Sequence, residues 1–300
     1  MGHHHHGVEN DKLTFKLFFS ILLNLTITVA EIIGGLVSNS LSLLSDAIHN
    51  LSDTASMILS YISIKIGKKE KNYKHTFGFK RIEILSALVN AVSLLIICIF
   101  LLIHAYERFQ KPEPINGKLM FIVAVIGLLG NLFSVFLLHK DSDHSLNIKS
   151  TYLHLLGDTF SSIGVIIGSL LIYYYKIVWI DPVITILVVL YIFKESFSIV
   201  KESIHILMQG TPSNINIPDL QIQIAKIEGI LDAHHTHIWM LSDHEIFLET
   251  HIKVKNMLIS ETENITEKIK HTLFENFGIT HITLQYEVNE CEKLHLIKEK

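Results

Sequence analysis

The chain has 300 residues, 49% of them apolar, with a mean hydropathy of +0.39. Its 25 basic and 29 acidic side chains leave a formal net charge of −4, which removes the support a nucleic-acid partner would need. The two cysteines, Cys98 inside an apolar run and Cys291 near the C-terminus, suggest neither a disulfide framework nor a cysteine-based zinc site. Soluble domains are also about half apolar, so the distribution of those residues decides more than their fraction. They are concentrated in long runs as far as Leu207, and the stretch from Pro212 onward has the make-up of a soluble domain.

Residues 1–12 form a histidine-rich segment in which His3, His4, His5 and His6 are consecutive. It reads as an expression tag or as a native metal-collecting tail. No cleavable signal peptide is expected, because the first apolar run continues to the length of a full span without a small-residue cleavage pattern. Residues 13–208 then hold six predicted spans, at about 15–37, 41–66, 84–104, 119–138, 152–174 and 182–207. Each is near the roughly 20 residues that a bilayer demands. All should be helices, since lipid offers no partner to an unpaired backbone group.

Basic residues sort the connections. Lys65, Lys68, Lys69, Lys71, Lys74, Lys80 and Arg81 lie between spans two and three, Lys12 and Lys16 precede span one, and Lys140 and Lys149 separate spans four and five. The other side has Arg108, Lys111, Lys118 and Lys176. The richer side should be cytoplasmic, which places both termini there. The short loops and the Lys-, Ile- and Asn-rich composition suit a bacterial inner membrane.

Beyond Gly210-Thr211-Pro212 the periodicity changes. Residues 218–230 predict an amphipathic helix, 231–241 and 245–254 alternate as strands, 260–277 predict a helix capped by Gly278, and 281–288 alternate again. The order α-β-β-α-β predicts a small two-layer α+β domain over residues 212–300.

The chemistry lies in two matched pairs. Span two contains His49-Asn50-Leu51-Ser52-Asp53 and span five contains His154-Leu155-Leu156-Gly157-Asp158. Residues four apart share a helix face, so each pair offers an imidazole and a carboxylate to one point. Two such helices facing each other supply a tetrahedral N2O2 set suited to zinc. The competing reading is a group of polar residues satisfied inside a helix bundle. Ionisable groups in spans cost roughly 2.5–3.5 kcal/mol each even on the lenient insertion scale, so two matched pairs demand a compensating purpose. A structural zinc site has no need to sit at bilayer depth, whereas a transport site does. Its ligands must be deprotonated to bind metal, so protons compete with the ion. Asp46, on nearly the same face, is placed below these four as a cavity-lining or recruiting group. Glu31 should face the bundle or a water-filled cavity. Asn24, Asn90 and Asn131 read as interhelical hydrogen-bonding groups. His104 and His205 read as interfacial.

Together with Ser40 to Asp53, the run Phe77-Gly78-Phe79-Lys80-Arg81-Ile82-Glu83-Ile84-Leu85-Ser86-Ala87-Leu88-Val89-Asn90, and Gln209-Gly210-Thr211-Pro212, these residues resemble the cation diffusion facilitator family. His234-His235-Thr236-His237-Ile238-Trp239, Glu249-Thr250-His251-Ile252 and Thr283-Leu284-Gln285-Tyr286-Glu287 look like that family too. The resemblance covers essentially the whole chain after the histidine tail. It implies a homodimeric, proton-coupled cation efflux transporter with a six-helix transmembrane bundle and a cytoplasmic metal-binding domain of ferredoxin-like fold. His49 at the first ligand position looks like the zinc-type branch, with cobalt, cadmium and iron also open as substrates. No prosthetic group is implied. Zn2+ is the expected substrate and a regulatory ligand, and protons, lipid and a second copy of the chain are the expected partners. The loop before span three holds only His75 of the histidines family members often carry there, and Gln209 stands where many relatives have an acidic residue.

In the C-terminal domain, alternation places His251 on the polar face of its strand and sets His281 and Glu287 on one face. On the first strand His235 and His237 share one face and His234 the other. The resemblance favours His237 or His234 together with His251 and Glu287, against the alternative of a polar, solvated sheet. Two other function classes fit a membrane protein with metal ligands less well. An intramembrane metalloprotease would need a motif such as H-E-x-x-H, which does not occur. A membrane metal sensor without transport would leave the spans apolar.

Overall fold

The computed structural model describes residues 6–67, 69–139, 146–242 and 245–288, and the side chains of most of these. The histidines at positions 3–5 and Cys291 lie outside them. Two compact units are present: residues 1–60 with 89–199, and residues 61–88 with 200–300.

Among the described residues there are six long helices, α1 (His6–Ser38), α2 (Leu41–Gly67), α3 (Ile82–Gln110), α4 (Gly117–His139), α5 (Leu146–Tyr175) and α6 (Ile180–Leu207). Among the described residues three segments are long and apolar enough to cross a membrane: Ile82–Gln110, Gly117–Phe136 and Ile180–Leu207. Shorter apolar stretches, Leu22–Ser38 and Ser161–Tyr175, lie on α1 and α5. Helix α2 carries Asp46, His49, Asn50 and Asp53 along its length.

The first unit is inverted relative to a soluble bundle. Large apolar side chains such as Leu36, Phe100, Leu129, Phe136 and Leu187 point outward, while Thr28, Glu31, Ser42, Asp46, Asn50, Asp158 and Ser162 are buried. An outward apolar surface over long helices marks an integral membrane protein. Inside, Leu43 of α2, Met120 and Val123 of α4, and Val165 and Ile172 of α5 form one packed cluster. Cys98 and Leu101 of α3 pack with Val189 and Ile192 of α6 in another.

The start of α2 is fixed by a residue far away in sequence. A helix leaves its first N–H groups without intrahelical partners. Here the Asp181 carboxylate at the start of α6 accepts from Leu41 N (2.8 Å), Ser42 N (3.1 Å), Ser40 Oγ (2.6 Å) and Ser42 Oγ (2.6 Å). Asn39 turns the chain between α1 and α2 at φ 59°, and Arg108 of α3 donates to its backbone and side-chain oxygens. Glu113, in the loop after α3, accepts from Asn39 and pairs with Arg108 at 3.2 Å, and both hold its carboxyl below the usual range.

The second unit contains α7 (Ile217–Ala225), β1 (Ile230–Ser242), β2 (Glu245–Val254), α8 (Ile259–Phe277) and β3 (Ile279–Glu287). The sheet order is β1-β2-β3, with β1 antiparallel and β3 parallel to β2. Asn216 caps α7, and Gly278 ends α8 in the left-handed region at φ 67°. Leu220, Ile224, Leu248, Ile252, Ile269 and Leu273 close the core between the helices and the sheet. This is the predicted α-β-β-α-β order as a small mixed sheet with helices.

Candidate metal sites

Along α2, positions 46, 49, 50 and 53 fall on one stripe at helical spacing. All but Asp53 are fully buried, and Asp158 of α5 is buried opposite them. His49 Nε2 lies 3.4 Å from Asp158 Oδ1, and His49 Nδ1 lies 3.7 Å from Asp53 Oδ2. One donor atom from each of His49, Asp53 and Asp158 falls within 4.8 Å of the others, close enough to share one ion. The donors are one imidazole and two carboxylates, ligands that zinc accepts. His154 is one helical turn before Asp158 on α5, and its side chain lies outside the described residues.

The neighbours explain how the stripe is held. Ser161 Oγ donates to Asp46 Oδ1 at 2.6 Å, and Ser162 Oγ donates to Oδ2 at 3.3 Å. Asp46 therefore ties α2 to α5 with both oxygens, a pairing that sequence spacing alone does not reveal. Asn90 of α3 donates to Ser52 across helices at 3.4 Å, as its reading as an interhelical group implies. A cavity of about 440 Å3 opens beside His49, walled by Ser161 and Gly164 of α5 and by Leu187 and Tyr191 of α6. Tyr191, its ring centroid 6.2 Å from that of His49, is a wall that no sequence motif marks, because it stands outside both pairs.

A second group lies on the sheet. His234, His235 and His251 bring donor atoms within 4.8 Å of one another. Glu287 of β3 joins them, with Oε1 2.7 Å from His251 Nδ1 and Oε2 3.3 Å from His234 Nε2. Burial works against charge on Glu287, but His251 and His234 outweigh it and hold the carboxyl below its usual range. Asp232 lies 3.1 Å from His234 Nδ1 and orients that ring. His237 is not part of this group. It is exposed, pairs in register with Glu249 and borders a separate cleft with Gln209 and Trp239. The cause is a register shift between His234 and His237, with His235 at φ 48°. A bulge breaks strict alternation, so His234 and His235 both reach His251. The sequence expectation lacked His235 because the family resemblance favoured His237 or His234.

The α2–α3 connection belongs to the same unit. Phe77 meets Phe247 edge-on with ring centroids 5.5 Å apart, and Lys80 pairs with Glu245. His75 stacks on Phe79 at 4.4 Å.

The membrane part, residues 17–208, matches the family model described as the cation efflux transmembrane domain, and residues 212–289 match the cation efflux protein cytoplasmic domain. Curated relatives include a cadmium, cobalt and zinc/H(+)-K(+) antiporter of Bacillus subtilis, 39% identical over 96% of this chain and 92% of the relative. They also include the metal cation efflux system protein CzcD of Cupriavidus metallidurans, 34% identical over 97% and 92%. The zinc transporter ZitB of Escherichia coli is 32% identical over 97% and 94%.

Proposed function

The chain belongs to the cation efflux family, the cation diffusion facilitators of zinc type, and from that premise we propose that it exports zinc from the cytoplasm in exchange for protons. The observation that carries the reading is the convergence of His49, Asp53 and Asp158 at one buried point between α2 and α5. Three ionisable groups gathered among outward-apolar helices are costly unless a cation repays them. His154 completes the set in this proposal. The ion is the substrate, and the ligands that release it become the groups that take up protons. Cobalt, cadmium and iron share the ligand preferences closely enough to be secondary substrates.

The proposal extends to organisation. Residues 13–208 form the transport domain with six spans, residues 212–300 a cytoplasmic dimerisation domain of ferredoxin-like topology, and residues 1–12 a histidine-rich tail. Both termini face the cytoplasm of a bacterial inner membrane, and two copies form the working unit. The antiporter relative and the family's cytoplasmic-domain model support these points. Zinc flux into proteoliposomes under an imposed pH gradient tests the reading. Flux that ignores the gradient would remove the proton coupling, and no flux would remove transport.

His49→Asp should retain zinc flux but lower the zinc-to-cadmium rate ratio. An oxygen then replaces the nitrogen ligand, and carboxylates discriminate less between these ions than imidazole does. An unchanged ratio in parallel zinc and cadmium assays would show that His49 does not select the metal.

Zinc held by His234, His235, His251 and Glu287 sets activity in this reading without lying on the path. His251→Ala in the full chain should lower the zinc bound per protomer and reduce transport by about 5–150-fold, the range of ordinary allosteric coupling. Complete loss in a folded protein would count against a regulatory role.

A further inference from the structure

We propose that Glu31 is the proton-carrying group of a counter-ion site separate from the metal ligands and linked to them through Asn50. The inference rests on the zinc/proton exchange reading and deepens it.

Glu31 lies on α1, outside both ligand pairs, at 1% exposure. Its Oε2 accepts from Asn50 Nδ2 at 2.9 Å, and its Oε1 has no hydrogen-bond partner among the described residues. No described ion pair includes it. On the third side, α4 presents Gly127, where an added Cβ would run into Glu31 Oε1. The carboxyl is thus cradled by three helices, one oxygen held and one bare. An ionised carboxylate so buried, without a cationic partner, is strongly disfavoured, whereas a carboxylic acid is tolerated. A proton is the ion this cradle fits, since Oε1 is buried against the α4 backbone and has no described hydrogen-bond partner.

The charged groups that act on Glu31 are Asp46 of α2 and Asp158 of α5. Helix α4 carries its titratable residues, Lys118 and His139, only near its ends. Negative charge on Glu31 would meet repulsion from both acidic neighbours while the metal site is empty. A divalent ion arriving at Asp158 cancels part of that repulsion and so favours release of the proton. The mechanical link is equally direct. Asn50 follows His49 in α2, so a movement of α2 that repositions the ligand also repositions the donor to Glu31. Sequence reading placed Glu31 in the bundle without a task, because no motif of its own surrounds it.

Glu31→Gln keeps the shape and the Asn50 contact but cannot carry the proton. The purified full-length variant should bind zinc as wild type does, yet release one proton fewer per zinc in calorimetry across buffers of different ionisation enthalpy. In proteoliposomes its zinc flux should respond less steeply than wild type to an imposed pH gradient. Wild-type proton release together with wild-type pH-driven flux would overturn the proposal. Loss of zinc binding in a folded variant would overturn it too, by making Glu31 part of the metal site. A wild-type measurement covers the case in which the variant does not fold. Dicyclohexylcarbodiimide attacks protonated buried carboxyls, so peptide mapping should find Glu31 labelled in the metal-free protein and labelled less after zinc loading. No label on Glu31 in either state would overturn the proposal. Failure of the parent reading looks different, as wild type would then show no pH-driven zinc flux at all.

Discussion

Asp158→Ala is expected to abolish zinc transport while leaving a folded membrane protein. Asp158 is 1% exposed, and its Oδ1 lies 3.4 Å from His49 Nε2, so it closes the α5 side of the site. The substitution removes a ligand and a buried charge together. Perturbing even an outer partner of a metal ligand costs about 10–100-fold in affinity, so losing a ligand should exceed the upper end of that range. Folding should survive because Asp158 sits among the acids Asp46, Asp53 and Glu31, so removing its charge relieves repulsion that offsets the lost contact with His49. Asp46 still joins α2 to α5 through Ser161 and Ser162. The check is zinc flux in vesicles at equal reconstituted protein, beside a thermal melt in detergent. Flux at the wild-type rate would remove Asp158 from the pathway, and with it most of the proposed site.

Parts of this site were legible from spacing alone, for a physical reason. An H-x-x-x-D pair projects from one helix face whatever the tertiary context, so His49 and Asp53 could be paired before any fold was known. The long apolar runs likewise announced helices, because lipid permits little else. What stayed hidden depends on contacts between distant segments. Ser161 and Ser162 look like ordinary small residues until α5 meets α2. Asp181 looks like a first-turn acid of its own helix, yet its hydrogen bonds go to α2. On the sheet, alternation assumes an unbroken strand. The bulge at His235 voids that assumption, so His234 and His235 both reach His251, while His237, which the resemblance had offered, pairs with Glu249.

The same long-range capping yields the largest expected effect on stability. Asp181→Ala should lower the melting temperature of the purified protein by about 10 °C or more. The carboxylate has no exposure and accepts four hydrogen bonds, two from α2 backbone N–H groups and two from serine hydroxyls. Arg108 Nη1 lies 3.8 Å from it and is largely covered. Truncation leaves those N–H groups without an acceptor and the guanidinium without its buried counter-charge. Breaking a buried, hydrogen-bonded charge pair costs about 3–5 kcal/mol, and losing a helix cap alone about 1 kcal/mol. In a unit of this size each kcal/mol is worth roughly 2–4 °C. Asp181→Asn, which keeps one acceptor oxygen, should lose less. His49 lies about 12 Å along α2 from Leu41, at 1.5 Å per residue, so the donors at the metal site are untouched directly. Zinc binding below the new melting point should therefore persist, while transport falls if the position of α2 sets the geometry between helices. An unchanged melting temperature for Asp181→Ala would mean that α2 is anchored elsewhere and that the α6 carboxylate is incidental to the bundle.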